Sequence, residues 1–380
     1  TVIGTNAIRA GFDATCLQQA LNARSGPGVT DLVLNPDAHA GYGAPVGCVL
    51  VSPTHIYPGP VGVDIKCSMS LLQMDLPVDQ IADKSLRRAL INAIVERTPT
   101  GPGKGQRSAK KARPVAADLG RRVAVEGASK DVCTALGIPP EWATRCEDAF
   151  HVGHKGSSNE LAERLDFLIR AGRFAKFEEK IRQLGSYGGG NHFGECEAVD
   201  IENNDRARRA AEVFGMRDGC VAFLSHCGSR GFGYQLANDQ FRTLQAKFAQ
   251  WNIPLPGGDR ELVYAPLGSP EANNYLDDMA LGGNFATLNH MLINALVLEA
   301  SQEIIPGAKG QLVYFISHNI ARQEVVNDQL SWVHRKGATP AGKGVFGIIP
   351  GSMASPGFVV RGKGNPDSLE SASHGAGRVM

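Results

Sequence analysis

Short apolar runs that end on polar residues organise this chain. Residues 31–36 (DLVLNP) and 46–52 (VGCVLVS) have the length and β-branched content of buried strands, each leaving into a turn-rich segment. Residues 61–76 (VGVDIKCSMSLLQMDL) predict a strand carrying Asp64 and Cys67 in its middle. Those two residues are three apart and would fall on opposite faces of a regular strand, so binding one centre requires a turn or bulge between them. Further strands are predicted at 220–225 (CVAFLS), running into His226, at 311–317 (QLVYFIS), ending at His318, and at 345–349 and 357–361. Helical periodicity marks 79–96, where Ile81, Leu86, Leu90, Ile94 and Val95 are apolar. Charged helices are predicted over 158–182 and 203–214, and a long helix or helix pair over 271–304, interrupted at Gly282–Gly283. An apolar strand with a chemically capable residue at its exit is how α/β and α+β enzymes build sites.

Composition narrows the class only a little. The 380 residues suffice for one large or two ordinary domains, and no shift in composition marks a boundary. Hydrophobic content of 43% and charged content of 20% are those of an ordinary globular protein. The net charge of +1 means that any nucleic-acid contact must come from a local basic face. No apolar run approaches the roughly 18–20 residues needed to span a bilayer. The eight cysteines include no CxxC pair, and a chain of this length needs no disulfide framework, so a reducing, cytoplasmic setting is expected. The 45 glycines follow no repeat, which assigns them to turns and close backbone approaches.

Two basic loops stand out. Residues 98–116 (TPTGPGKGQRSAKKARPVA) carry Lys104, Arg107, Lys110, Lys111 and Arg113, and read either as a solvated loop or as a flap against a polyanion. Residues 334–344 (HRKGATPAGKG) superficially resemble a phosphate-binding P-loop, but Gly344 stands where a Mg²⁺-binding Ser or Thr is required. An anion-binding loop using Arg335, Lys336 and Lys343 remains the expectation there.

The chemistry concentrates in short signatures: GVDIKC (Asp64, Cys67), GGGNHFGE (His192), SHCGSRG (His226), SHN (His318) and SHGAGR (His374). Of the ten histidines, His55, His151, His154 and His290 lack such contexts. Three consecutive glycines before Asn191 and His192 suit backbone wrapped against a ligand, with Glu195 close behind. Cys67 can bind metal as a thiolate and Asp64 as a carboxylate, a donor set that suits zinc or iron as readily as manganese. Arg230 can form a fork with phosphate. A neutral imidazole at His374 can attack phosphorus to give a phosphoramidate, with Gly375, Ala376 and Gly377 leaving room and Arg378 offsetting charge. A Lys-x-Asp-Gly motif, the lysine nucleophile of ordinary nucleotidyl transferases, does not occur.

With PDAHAGYGAPVG (36–47), HRKGATPA (334–341) and IPGSM (349–353) added, the ordered series resembles the RtcB family of RNA-splicing ligases from about Pro36 to the final residue. The resemblance implies an α/β (mixed α+β) fold, a single compact domain over residues 1–380 with mixed sheets around a deep metal site. It implies a GTP- and Mn²⁺-dependent ligase that joins RNA ending in 2′,3′-cyclic phosphate or 3′-phosphate to RNA with a 5′-hydroxyl, in tRNA splicing or RNA repair. By match, Asp64, Cys67, His192, His226 and His318 would hold two Mn²⁺ ions, with Cys67 between them, and His374 would take GMP from GTP. Asn191, His192, Glu195, His318, Asn319, Pro350, Gly351, Ser352, Met353, Gly375, Ala376 and Gly377 would line the guanylate pocket. The resemblance leaves room for an activating protein partner and implies no membrane.

Three departures motivate an alternative, a metal-dependent 2′,3′-cyclic phosphodiesterase that does not ligate. Lys66 stands where the family usually has a small or neutral residue, and its cation sits near the metals or points away from them. Gly357 stands where a serine often contacts the nucleotide. The family also continues beyond HGAGR, so the chain is expected to lack the family's C-terminal segment.

Overall fold

A computed structural model describes residues 1–103, 105–352 and 354–375. It is a mixed α/β structure in which two four-stranded sheets carry the predicted signatures. The first sheet runs in the order Asp31–His39, Val46–Ser52, Gln329–Lys336, Asn319–Val326. The second runs Phe193–Ala198, Cys220–Cys227, Ser68–Pro77, Gly310–Ser317. Strands within both sheets pair antiparallel. The sheets meet at one residue, His318, between the last strand of the second sheet and the edge strand of the first.

The second sheet is covered on both sides, which is why its central strand reads as a nearly unbroken apolar run. One face packs on a helical layer, with Leu72, Phe223 and Phe315 in the main core. The other face, with Met69, Leu71, Ala222, Leu224, Val313 and Ile316, forms a smaller cluster with Phe214 of the helix Asp205–Phe214 and with Ile348.

The strand over 61–76 is a correction. It begins only at Ser68, and Asp64 and Cys67 lie in the turn before it. Lys66 adopts φ +56°, a left-handed conformation that reverses the chain locally and brings the two side chains to one side. The helix over 271–304 is also simpler than its glycines suggest. Pro270–Ile304 is continuous, started by the Ser269 side chain accepting from Ala272 N. A Cβ at Gly282 would come within 3.1 Å of Ile65, and one at Gly283 within 2.8 Å of His151. The pair therefore admits close neighbours without breaking the helix. The charged stretch 158–182 is two helices, Ser158–Arg170 and Phe177–Ile181, separated at Gly172 and Lys176, which both have positive φ.

The basic loops are largely engaged within the chain. Lys110 pairs with Glu96, Lys111 with Glu96 and Glu303, and Arg113 with Glu299; Lys104 lies outside the described residues. In the 334–344 segment Arg335 is buried against Glu324 and Ser371, and Lys336 donates to the carbonyls of Tyr42 and Ala44. Of the three cations expected to bind an anion there, Lys343 alone is exposed. No disulfide forms, and no helix is long and apolar enough to cross a membrane, among the described residues.

The helical layer is stitched by a buried ion pair. Arg164 Nε and Nη2 donate to Asp278 Oδ1 and Oδ2 at 2.8 and 2.9 Å, and Gln240 also donates to Asp278. Removing one member of such a pair strands the other charge. Asp278→Ala is expected to destabilise the fold by about 3–5 kcal/mol in a denaturant titration; a loss below about 1 kcal/mol would show that the pair adds little.

Candidate active site

Sheet register assembles most of the site. Ser68 lies opposite both Cys227 and Ser317, so Cys67 and His318 sit at the same end of neighbouring strands. His226 lies opposite Met69 on one side and Phe193 on the other, which brings His192, the residue before Phe193, alongside it. Backbone bonds lock the junction: His318 N donates to Cys67 O at 2.9 Å and Lys66 N to Asn319 O at 2.7 Å.

Five of the predicted residues therefore converge. Cys67 Sγ lies 3.2 Å from His226 Nε2 and 3.5 Å from His192 Nε2. His226 Nε2 lies 3.2 Å from His318 Nε2, and His192 Nε2 lies 2.8 Å from Asp64 Oδ2. The donors form two overlapping triads, Asp64–Cys67–His192 and Cys67–His226–His318, with ligand atoms within 4.8 Å of one another in each. Cys67 belongs to both.

Burial and hydrogen bonding suit these residues to a cation. His192 Nδ1 bonds the carbonyl of Tyr187 at 2.9 Å and His226 Nδ1 that of Asn191 at 3.0 Å, so each ring presents Nε2 to the cluster. Burial first, and then the neighbouring imidazoles, drives His226 down to about 3 and His318 well below the usual histidine range. Both are neutral lone-pair donors, and two such nitrogens 3.2 Å apart need a shared proton or a cation between them. His318 Nδ1 finds no hydrogen-bond partner among the described residues. Burial, and then Asp64, pushes the Cys67 thiol up to about 12. Burial opposes charge on Asp64, but His192, Cys67 and Arg230 outweigh it and hold the carboxyl at about 2. Burial likewise opposes a charged His192, and Cys67, Cys227 and the bonded Asp64 carboxylate raise it. A thiolate, a carboxylate and three imidazoles fit a divalent transition metal.

Lys66 is not part of this cluster. Its side chain runs the other way, fully buried, and Nζ donates to Asp148 O at 2.6 Å and Thr287 Oγ1 at 2.7 Å. Arg230 is held near the cluster: a side chain on Gly188 (φ +80°) would occupy the place of its guanidinium.

His374 stands beside the triads, its ring centroid 4.8 Å from that of His318. Asp37 Oδ2, on the first sheet, accepts from His374 Nδ1 at 2.9 Å and from His374 N at 3.1 Å. The sequence signatures include Asp37 inside PDAHAGYGAPVG, but nothing in the motif says which imidazole it serves.

The residues expected to line a guanylate pocket divide. Asn191 is exposed and Glu195 half-buried on the edge strand beside the triads. The Pro350 segment borders the His374 signature, since a Cβ on Gly375 would lie 3.1 Å from Pro350. Ser352 bonds Ser355 at 2.8 Å. Gly351 packs close to Ser355 and Pro356, and Gly357 packs on Ile349 and Gly351. Asn319 uses its amide inside the protein, accepting from Gly337 N at 2.7 Å and donating to Asp64 O at 3.3 Å. Met353, Ala376, Gly377 and Arg378 lie outside the described residues.

Comparison with known proteins agrees in scope with this geometry. The family profile "tRNA-splicing ligase RtcB" matches residues 19–380. A tRNA-splicing ligase RtcB from Pyrobaculum aerophilum is 34% identical, the match covering 96% of this chain and 76% of that protein. One from Archaeoglobus fulgidus is 33% identical over 97% of this chain and 77% of its own length. An RNA-splicing ligase RtcB from Mycobacterium tuberculosis is 31% identical over 95% and 83%.

A divalent ion entering this cluster must displace the Cys67 proton, because a thiol at about 12 is protonated throughout the neutral range. Metal affinity is therefore expected to fall as pH is lowered from about 9 to about 6, about tenfold per unit for each displaced proton. Co²⁺ titrations of the metal-free protein at stepped pH measure this, and a flat profile counts against Cys67 as a ligand.

Proposed function

The chain belongs to the RtcB family of RNA-splicing ligases, and we propose that it works as a GTP- and Mn²⁺-dependent ligase that seals RNA ends through a guanylylated His374. The observation that carries this reading is the placement of His374. Its Nδ1 is pinned by Asp37 at 2.9 Å, and its ring lies 4.8 Å from a histidine of the metal cluster. The substrates are RNA ending in 3′-phosphate, or in a 2′,3′-cyclic phosphate opened to it, and RNA ending in 5′-hydroxyl. The chemistry belongs in the cytoplasm, as tRNA splicing or RNA repair.

Asp64, Cys67 and His192 would hold one Mn²⁺ ion, and Cys67, His226 and His318 the other. When bound, the ions neutralise phosphate charge and act as Lewis acids on phosphoryl oxygens. Asp37 keeps the Nδ1 proton of His374 in place and leaves the Nε2 lone pair as nucleophile. Nε2 forms a bond to the α-phosphorus of GTP, and the bond to pyrophosphate breaks. The imidazole gains positive charge in this step, which the Asp37 carboxylate offsets. An oxygen of the RNA 3′-phosphate then attacks the same phosphorus, the P–N bond breaks, and the RNA end carries GMP. The 5′-hydroxyl attacks the RNA phosphorus, gives its proton to solvent, and GMP leaves. Capping is needed because an uncapped 3′-phosphate has no leaving group better than oxide.

Asn191, Glu195, the 350–353 segment and the glycines after His374 form the guanylate-facing wall in this reading. Asn319 acts as an internal brace rather than a nucleotide contact. Lys66, turned away into Asp148 and Thr287, gives no ground for the cyclic-phosphodiesterase alternative.

Incubation of the full chain with α-labelled GTP and Mn²⁺ is expected to give acid-labile label on the protein, absent in His374→Ala. Asp37→Asn is expected to slow labelling by about 10²-fold or more while retaining bound metal. Unlabelled wild-type protein, or label that survives in His374→Ala, overturns the proposal.

A further inference from the structure

The two triads are held in different ways. His226 lies within a strand, opposite Met69 and Phe193, and its ladder fixes it. His318 directly follows a strand, and its N donates to Cys67 O at 2.9 Å. Asp64 lies in the turn before Ser68, and His192 directly precedes the edge strand Phe193–Ala198. Their orientation comes from two loop groups: the Tyr187 carbonyl, which takes the Nδ1 bond of His192, and Ser229, whose N and Oγ donate to Asp64 Oδ1 at 3.0 and 3.2 Å.

Both loops end on one side chain. Asn289, fully buried in the helix Pro270–Ile304, accepts at Oδ1 from Gly185 N at 2.8 Å and Ser186 N at 3.3 Å. Its Nδ2 donates to Ser186 O at 3.3 Å, Gly228 O at 3.1 Å and Cys227 Sγ at 3.0 Å. Ser186 adjoins Tyr187, and Gly228 adjoins Ser229. One amide thus clamps the loop that aims His192 to the loop that aims Asp64. A β-carbon on Gly228 would collide with the Asp64 carboxylate, so the clamped loop is also the wall against which Asp64 rests. The amide has both the acceptor and the donor that this clamp requires, and a buried amide is costly to replace by an apolar group that leaves the loop dipoles unpaired.

We infer that Asn289 is a positioning residue for the Asp64–Cys67–His192 triad, and that it sets the metal affinity of that triad separately from the Cys67–His226–His318 triad. This rests on the two-metal reading of the site. Removing an outer partner of metal ligands typically weakens binding by about 10–100-fold, and here the loss falls on one ion.

The test is an anaerobic Co²⁺ titration of metal-free protein, followed by the thiolate charge-transfer and d–d absorption. Wild-type protein is expected to bind two equivalents. Asn289→Leu is expected to bind one equivalent as wild type does and the other about 10–100-fold more weakly, with a spectrum like that of His192→Ala and unlike that of His318→Ala. Asn289→Asp keeps the acceptor half of the clamp and loses the donors to Gly228 and Ser186, so it remains informative if the leucine variant does not fold; it is expected to weaken the same equivalent. Asn294→Leu is the control. That amide lies on the same helix and donates to Ser70 Oγ at 2.9 Å, away from both loops, so its loss is expected to lower stability and leave both equivalents intact. Wild-type protein that binds fewer than two ions overturns the inference together with the two-metal reading. Two ions in wild type, with unchanged affinities in a folded Asn289 variant, overturn the inference alone.

Discussion

The sharing of one sulfur atom governs this structure. Cys67 Sγ lies within 3.5 Å of Nε2 on both His192 and His226, so every element that carries a ligand must terminate near it. The register of the second sheet meets that demand for His226 and His318, because residue 68 pairs with residues 227 and 317. A left-handed turn at Lys66 meets it for Asp64. A lysine at positive φ carries a backbone cost that a glycine would not. Its buried Nζ bonds to Asp148 O and Thr287 Oγ1 hold the turn against that cost, and this explains a cation adjacent in the chain to Cys67 but facing the opposite direction.

Electrostatics follow from the same packing. Burial removes the charge from His226 and His318 and keeps the proton on Cys67, so the cluster's own side chains carry less charge than its five donors suggest. Asp64 and His192 form its one ion pair. A cation held by these five residues would replace the Cys67 proton and the proton between Asp64 and His192, and would meet lone pairs already aimed at it. Buried charges in the surrounding core are paired: Arg164 with Asp278, Arg322 with Glu147 and Asp148, Lys336 with two carbonyls. The same rule explains why the basic residues of the 334–344 segment serve the fold.

Much of this was legible in residues. Apolar runs located five of the eight strands of the two sheets because covered strands lack polar alternation, and the motif order located all five converging donors; Phe193–Ala198, Asn319–Val326 and Gln329–Lys336, rich in polar residues, went unmarked. The strand over 61–76 misled for a definable reason: apolar content continues through Val61, Val63 and Ile65, which are core residues or border it, while the chain there is a turn. Hydrophobic periodicity reports burial and carries no information about a single positive φ. Gly282–Gly283 misled in the opposite sense, since a glycine that makes room for Ile65 or His151 looks the same in sequence as one that ends a helix. Asp37 and Asn289 were illegible as partners because their roles lie in pairings across 337 residues and across two loops. Asn289 has the additional disguise of sitting on a helix whose other buried amides, such as Asn284 and Asn294, brace the core.

The junction at His318 joins the two halves of the chemistry. The second sheet and its flanking turns bring together the five candidate donors, whereas Asp37, the anchor of His374, belongs to the first sheet. His318 bonds both: its N donates to Cys67 O at 2.9 Å, and its carbonyl accepts from Ala338 N at 3.1 Å. Ala338 in turn pairs with Ser373, the residue before His374. A backbone path of three hydrogen-bonded steps therefore runs from Cys67 to the residue before His374. Asn319 reinforces it by bridging Asp64 O to Gly337 N. Along this path a displacement of one sheet against the other changes the His318–His374 spacing directly, and every bond on the path opposes that change. Cys67, His318 and His374 are thus tied by one hydrogen-bonded backbone path, the fixed spacing that the proposed transfer to His374 would need.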